Sequence, residues 1–305
     1  MRTRFLETLG GGESTATGPN DFFNGLIRVS VVERVISTPS GSLPCRIVGQ
    51  GPVMIFSHAF GEVAWGSLNK LAQSFTVIVP AWDSAEFGSG RLASFDWLDP
   101  LLEELGQSQA GLCVWSMACP PAIEFIVTAQ PPLTHLILVD MAGLSEDFIR
   151  LRFSALPHFL LTRLLGRPTR GLVRAMWKQW IHSETLDRRL LEEAMFRFLC
   201  DNPLDAFDDD EDEISGEALD TIDDDDDESD DESEALLDRL AEISIPTLIL
   251  TGRHSPVLGP DLATNAQKRM TSALVSIFEH SSHTLQLEEP DRFQQVVSEF
   301  VSGSS

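Results

Sequence analysis

Short, unbroken apolar segments alternate with helical patterns along most of this chain of 305 residues. Three of these segments carry too few polar residues for strands with one face in water: residues 53–59 (VMIFSHA), 111–115 (GLCVW) and 246–252 (PTLILTG). Apolar residues at three- and four-residue spacing, typical of helices, follow such segments. The alternation predicts an α/β fold, a mostly parallel sheet of about eight strands with helices on both faces. The first two strands lack a helix between them, so we expect them to form an antiparallel edge.

The alternation stops after about residue 144 and resumes after about residue 242. Within this interruption, the segment 150–197 has a helical pattern and holds ten Lys or Arg against four acids. Residues 208–238 then hold 19 Asp or Glu and no base, a composition typical of a disordered, solvated segment. The predicted organisation is a loose arm over 1–24, a core in two parts over 25–144 and 239–305, a helical insert over 145–207 and a disordered acidic tract over 208–238.

The charge of the chain restricts its partners. The formal net charge is −25, but the chain without the acidic tract carries only −6. The tract argues against nucleic acid as a partner. Because a basic segment precedes it directly, we predict that the two contact each other. No apolar run reaches the roughly 18 residues of a membrane span, the N-terminus lacks a signal-peptide pattern, and the four cysteines have no metal-type spacing. We therefore expect a cytoplasmic protein.

Three short segments that follow predicted strands carry polar residues of catalytic type. Residues 57–61 read SHAFG, residues 114–118 read VWSMA and residues 283–290 read HTLQLEEP. In this order, the chain resembles the α/β-hydrolase superfamily from about residue 28 to residue 301. The resemblance implies a serine nucleophile on a sharp strand-to-helix turn, followed later in the chain by an acid and a histidine. It also implies that the helical insert is a lid.

Ser116 stands where the resemblance places the nucleophile. Val114 and Ala118 replace the two glycines of the G-x-S-x-G pattern, and Val114 is the bulkier departure. The main-chain amides of Met117 and Phe60 are the implied oxyanion donors, each worth a few kcal/mol. The alternative is a serine that satisfies free amides at the start of a helix.

His283 is the implied catalytic base. Glu288 and Pro290 follow it at the fifth and seventh positions, which reproduces the ending of the family just before the last helix. Proline is tolerated in the first turn of that helix. The alternative is a histidine that only packs in the core.

The acid of the triad is harder to assign. Its usual position, three residues after the glycine that closes the seventh strand (Gly252), holds Ser255. Loss of the acid costs about 10⁴-fold in turnover in a related triad. Asp140, after the sixth strand, stands where some members of the superfamily carry the acid, and Asp261 is a more distant candidate.

These residues predict a serine hydrolase, a carboxylesterase that acts on an apolar ester or acyl substrate. The Phe and Trp residues of the lid, among them Phe153, Phe159, Trp177 and Trp180, favour an apolar acyl or alkyl group. The chemistry implies no cofactor and no metal. The missing acid keeps two alternatives open: an impaired hydrolase-like scaffold with a binding or regulatory role, and a lyase or cyclase that reuses the pocket.

Overall fold

The computed structural model describes residues 31–38, 41–57, 65–80, 95–144, 169–182, 192, 196 and 226–303. Its strands are β1 (Val32–Thr38), β2 (Gly41–Val48), β3 (Val53–Ser57), β4 (Thr76–Pro80), β5 (Ala110–Trp115), β6 (Leu133–Val139), β7 (Thr247–Gly252) and β8 (Ala273–Phe278). They form one sheet with the order β1-β2-β4-β3-β5-β6-β7-β8. β2 is antiparallel to β1 and β4, and the other neighbouring pairs are parallel. This architecture confirms the predicted sheet and its antiparallel edge.

The central strand β5 shows how the apolar pattern becomes a two-sided sheet. All six of its residues are buried. Because successive side chains of a strand point to opposite faces, Cys113 and Trp115 lie in one buried apolar cluster and Leu112 and Val114 in another. An unbroken apolar segment therefore supplies both faces of the sheet at once.

Helices cover both faces. They are α1 (Trp65–Leu71), α2 (Leu98–Glu104), α3 (Cys119–Ala129), α4 (Arg170–Trp180), α5 (Asp226–Glu242), α6 (Gly259–Arg269), α7 (Leu285–Glu288) and α8 (Pro290–Gly303), and one 3-10 turn (Ser116–Ala118) precedes α3. The cluster that contains Trp115 receives side chains from α1, α4, α7 and α8. The opposite cluster receives them from α2, α3, α5 and α6. The described part of the predicted lid, α4, thus packs on the same side of the sheet as the last helix.

The acidic tract is a correction to the sequence prediction. Its described residues, 226–238, lie in α5 and are not disordered. Leu237 and Leu240 bury their side chains in the cluster on that side of the sheet. Arg269 on α6 forms an ion pair with Glu234, with 2.6 Å between Nη2 and Oε1. Charge alone predicted disorder. A buried leucine within the tract, a second one directly after it and a basic partner on a neighbouring helix favour a docked helix instead.

Several predictions fall on other parts of the chain. The arm over 1–24, residues 145–168 of the lid and residues 208–225 of the acidic tract lie outside the described residues. Within the described ranges, no ion pair joins the acidic tract to the lid, so that contact stays a prediction. None of the helices in those ranges is long and apolar enough to cross a bilayer.

Candidate active site

Ser116 stands at a strained turn at the carboxyl end of the central strand. β5 ends at Trp115, and the chain passes directly into the 3-10 turn and α3. Ser116 has a φ of 57°, in the left-handed region that residues other than glycine rarely occupy. Strain of this kind costs about 1–3 kcal/mol and clusters at functional sites. The capping position of α3 is Ala118, and no side-chain hydrogen bond caps that helix, which argues against the capping alternative for Ser116.

The fold accommodates the two missing glycines of the turn. Val114 lies in the same buried cluster as Ala118, Cys119 and Ala122, which are small residues on the turn and on α3. The thiol of Cys119 contacts the main-chain oxygen of Val114 at 3.4 Å. The branched side chain at position 114 thus shares one buried cluster with small residues of the turn and of the following helix.

Trp115 connects this turn to the histidine loop. Its indole Nε1–H donates a hydrogen bond of 3.2 Å to the main-chain oxygen of His283. The two rings also lie close together, with their centroids 5.3 Å apart. The residue before the candidate nucleophile therefore fixes the main chain of the candidate base.

The histidine loop connects β8 to α7 and passes over the end of β7. Residues 281–284 are all buried. A side chain at Gly252 would meet the main-chain oxygens of Ser281 and Ser282 at 2.5 and 2.2 Å, so only glycine lets the loop approach this closely. The loop brings His283 to the carboxyl ends of the parallel strands, where ligands bind in open α/β sheets.

Asp140 is the acid that contacts His283. It directly follows β6, is fully buried and has a φ of 43°, which Asp tolerates better than most residues. Its Oδ2 atom lies 2.6 Å from Nδ1 of His283. The hydroxyl of Ser255 donates to the same oxygen at 2.6 Å. Asp261 is exposed in the first turn of α6.

The carboxyl end of helix α4 packs against the imidazole. The rings of Trp180 and His283 have centroids 5.2 Å apart, and Trp177 packs edge-on against Trp180 at 6.2 Å. Both tryptophans are buried. Thr284, next to the histidine, donates from its main-chain N–H and its hydroxyl to the main-chain oxygen of Trp180, at 3.3 and 3.2 Å. Aromatic rings thus line the side of the imidazole that faces α4.

Glu288 joins the end of helix α4 to the histidine loop. Its carboxylate is nine-tenths buried and accepts the main-chain N–H of His182, just after α4, at 2.7 Å. The other oxygen accepts the N–H of Ser282 at 2.9 Å and the hydroxyl of Thr284 at 3.1 Å. The same carboxylate therefore holds residues on both sides of His283 and the end of α4.

The implied oxyanion donors are only partly within the described chain. Met117 follows Ser116 in the 3-10 turn, so its amide is the first main-chain N–H after the candidate nucleophile. Its side chain is exposed. Phe60 lies outside the described residues.

Two buried thiols and the donor groups of the described residues bear on thiol and metal chemistry. Burial raises the pKa of Cys113 and of Cys119 well above the ordinary thiol value, so neither is a ready thiolate. Among the described residues, no group of His, Cys, Asp and Glu is arranged to hold a metal ion.

Comparison with solved structures identifies the fold. A carboxylesterase of Bacillus subtilis superposes with a TM-score of 0.67 over 93% of this chain and 96% of its own, at 15% sequence identity. The chain has the α/β-hydrolase fold. Asp140 follows β6 of that fold, while Ser255 follows β7, at the position where the resemblance places the usual acid.

Sequence relatives are distant. An uncharacterized protein of Mycobacterium tuberculosis is 27% identical over 275 residues, which cover 84% of this chain and 77% of the relative. A 2-hydroxy-6-oxononadienedioate/2-hydroxy-6-oxononatrienedioate hydrolase of Pseudomonas putida is 22% identical over 262 residues, 82% of this chain and 86% of its own length. No protein-family model matches the chain.

Sequence reasoning missed one residue that contacts the candidate acid, Thr251. Its hydroxyl donates to Oδ1 of Asp140 at 2.9 Å. The signal for it is strand register: β6 and β7 are parallel neighbours with Val139 opposite Leu250, so the next residues, Asp140 and Thr251, stand side by side. Once the strand order is known, a polar residue at position 251 is expected to bond the acid.

Proposed function

We propose that this chain is a serine hydrolase that cleaves a carboxylic ester or a similar acyl substrate. Ser116 is the nucleophile, His283 the general base and then the general acid, and Asp140 the carboxylate that orients the imidazole. The observation that carries the proposal is the 2.6 Å contact between Asp140 Oδ2 and His283 Nδ1, since the sequence left the acid open. The strained turn at Ser116 supports the assignment of the nucleophile.

The contact determines which nitrogen of the imidazole does the chemistry. A carboxylate accepts, so the proton of a neutral His283 belongs on Nδ1, and Nε2 keeps the lone pair that removes the proton from the serine hydroxyl. Both side chains are almost completely buried, at 1% and 0% exposure. In such surroundings the Asp140 carboxylate stabilises the imidazolium that forms during attack.

The acyl group passes through two tetrahedral intermediates. Ser116 Oγ bonds to the acyl carbon, and the carbonyl oxygen becomes an oxyanion that we assign to the main-chain amides of Met117 and Phe60. Protonation by His283 releases the alcohol and leaves an acyl-enzyme. A water molecule, deprotonated by the same imidazole, then releases the carboxylic acid.

The residues around His283 favour an apolar substrate. The rings of Trp115 and Trp180 have centroids within 5.3 Å of the imidazole centroid. Trp177 extends this aromatic surface along the lid helix. We infer an apolar acyl site next to these rings, which gains affinity with each methylene that it buries, by about 0.8 kcal/mol.

A fluorophosphonate probe tests the nucleophile. We expect the full chain to gain the mass of one phosphonyl adduct, and peptide mapping to place it on Ser116. Ser116→Ala and urea-unfolded wild-type protein are the controls, and neither should gain the adduct. An adduct on another residue, or none on the native protein, refutes the assignment.

Nitrophenyl esters of increasing acyl length test the substrate class. We expect kcat/KM to rise from acetate to butyrate to octanoate, about threefold or more per added methylene. Asp140→Asn should lower kcat by about 10³–10⁴-fold with every ester. A kcat/KM that falls steadily with acyl length contradicts the apolar pocket, and activity that survives Asp140→Asn contradicts the triad.

A further inference from the structure

Ser255 directs a hydroxyl at the candidate acid. It lies in the loop after β7, and its Oγ is 2.6 Å from Oδ2 of Asp140. The main-chain N–H of Val257 donates to the same Oγ at 3.0 Å. A hydroxyl has one proton and two lone pairs. Because Val257 occupies a lone pair and the carboxylate can only accept, the proton of Ser255 is directed at Asp140.

The Asp140 carboxylate has donors on both oxygens. Oδ2 receives Ser255 and the imidazole Nδ1 of His283, and Oδ1 receives the hydroxyl of Thr251. The side chain has no exposure to water. A buried carboxylate needs such donors, since its desolvation is otherwise not compensated. Two of the three come from the end of β7 and the loop after it.

We propose that Ser255 is a positioning residue that holds the Asp140 carboxylate in the orientation that serves His283. This inference rests on the proposed hydrolase function. Thr251 fixes the oxygen that points away from the imidazole, and Ser255 fixes the oxygen that contacts it. A rotation of the carboxylate that breaks the contact with His283 also breaks the bond to Ser255.

The same geometry implies that position 255 can carry the acid itself. Ser255 Oγ and His283 Nδ1 both lie 2.6 Å from one oxygen, so they are at most about 5 Å apart. A carboxylate at position 255 extends from the Oγ site toward this nitrogen. If position 140 then carries an amide, its NH₂ group can donate to the carboxylate at position 255. The donor and the acceptor of the present bond between Ser255 and Asp140 are thereby exchanged.

Four variants test the proposal, and all keep the full chain. We expect Ser255→Ala to lower kcat about tenfold with KM within about twofold, the loss of one hydrogen bond to a charged group. Ser255→Thr keeps the hydroxyl and should stay within about threefold of wild type. Asp140→Asn is compatible with the left-handed backbone at this position, and Asp140→Asn/Ser255→Asp should turn over at least ten times faster than Asp140→Asn alone.

The control is Ser272→Ala, which removes a serine hydroxyl bonded only to main-chain oxygens near the opposite ends of the strands. It should leave kcat within twofold of wild type. Three results overturn the proposal: a kcat of Ser255→Ala within twofold of wild type, a Ser255→Thr variant as slow as Ser255→Ala, or a double variant no faster than Asp140→Asn.

A measurement that needs no turnover separates this inference from the proposed function. A histidine N–H in a short bond to a carboxylate gives a far-downfield proton NMR signal. We expect the signal of His283 in wild type, its shift in Ser255→Ala, its loss in Asp140→Asn and its return in the double variant. If no ester is cleaved and no fluorophosphonate binds, the hydrolase proposal fails. A signal that Ser255→Ala leaves unchanged overturns the positioning role instead.

Discussion

Glu288 offers a sharp test of how helix α4 is held, because one buried carboxylate joins the end of α4 to the histidine loop. It accepts hydrogen bonds from the main-chain N–H of His182 and of Ser282 and from the hydroxyl of Thr284. Glu288→Gln keeps the size of the side chain. It removes the negative charge and replaces one accepting oxygen by an NH₂ group.

The magnitude follows from these three bonds. The amide oxygen can keep the two donors that now share Oε1, Ser282 and Thr284. The amide NH₂ then faces the N–H of His182, so a 2.7 Å bond becomes a contact between two donors. A lost hydrogen bond to a charged group together with an unsatisfied buried donor costs about 2–4 kcal/mol of the free energy of unfolding.

The assay is equilibrium unfolding in urea followed by tryptophan fluorescence. Glu299→Gln is the matched control, since Glu299 is exposed on α8 and its bond is to the neighbouring Gln295. We expect the control to stay within about 0.5 kcal/mol of wild type. If Glu288→Gln unfolds with the same free energy as this control, the reasoning about the buried carboxylate is wrong.

Thr251→Val should lower kcat about tenfold without a matching rise in KM, since it removes the donor to Oδ1 of Asp140; an unchanged kcat contradicts this. Burial lowers the pKa of His135, so the unfolded chain binds its proton at a higher pH than the folded chain does. The neutral, buried imidazole contributes to stability in full above about pH 6.5, and this contribution is lost as the pH falls below that value. The urea midpoint of wild type should therefore fall in acid relative to that of His135→Leu, and parallel plots of the two midpoints against pH contradict this. Burial raises the pKa of Cys45 to about 12 and that of Cys119 well above its ordinary value. Iodoacetamide at pH 8 should therefore modify these two thiols in urea but not in the native protein, as measured by peptide mass. Rapid labelling of the native protein refutes this expectation.

The sheet could be predicted because burial on two faces determines the composition of a strand. β5 and β7 are buried at every residue, and this leaves an unbroken apolar run in the sequence. The sharp turn at Ser116 could be predicted because this residue directly follows such a run. The helical conformation of 226–238 was not, because a count of charges does not show that Leu237 and Leu240 bury their side chains.

The acid of the site could not be chosen from the sequence. Asp140 and His283 lie 143 residues apart, and their contact depends on how the loops after β6 and β8 meet over the end of β7. Sequence spacing describes each loop by itself and does not measure that approach. Gly252 is the residue that permits it, and its role becomes visible only when the neighbouring main chain is in place.

The attachment of helix α4 has a consequence for which substitutions it tolerates. The core holds the end of α4 through the main-chain oxygen of Trp180 and the main-chain N–H of His182, and every amino acid supplies an oxygen and all but proline supply the N–H. These two bonds therefore do not depend on the side chains at positions 180 and 182. The side chains of Val173, Trp177 and Trp180 pack in the buried cluster, so the sequence requirement of the helix lies in them. A substitution at position 180 can thus reshape the surface beside His283 without moving the point at which the main chain is attached.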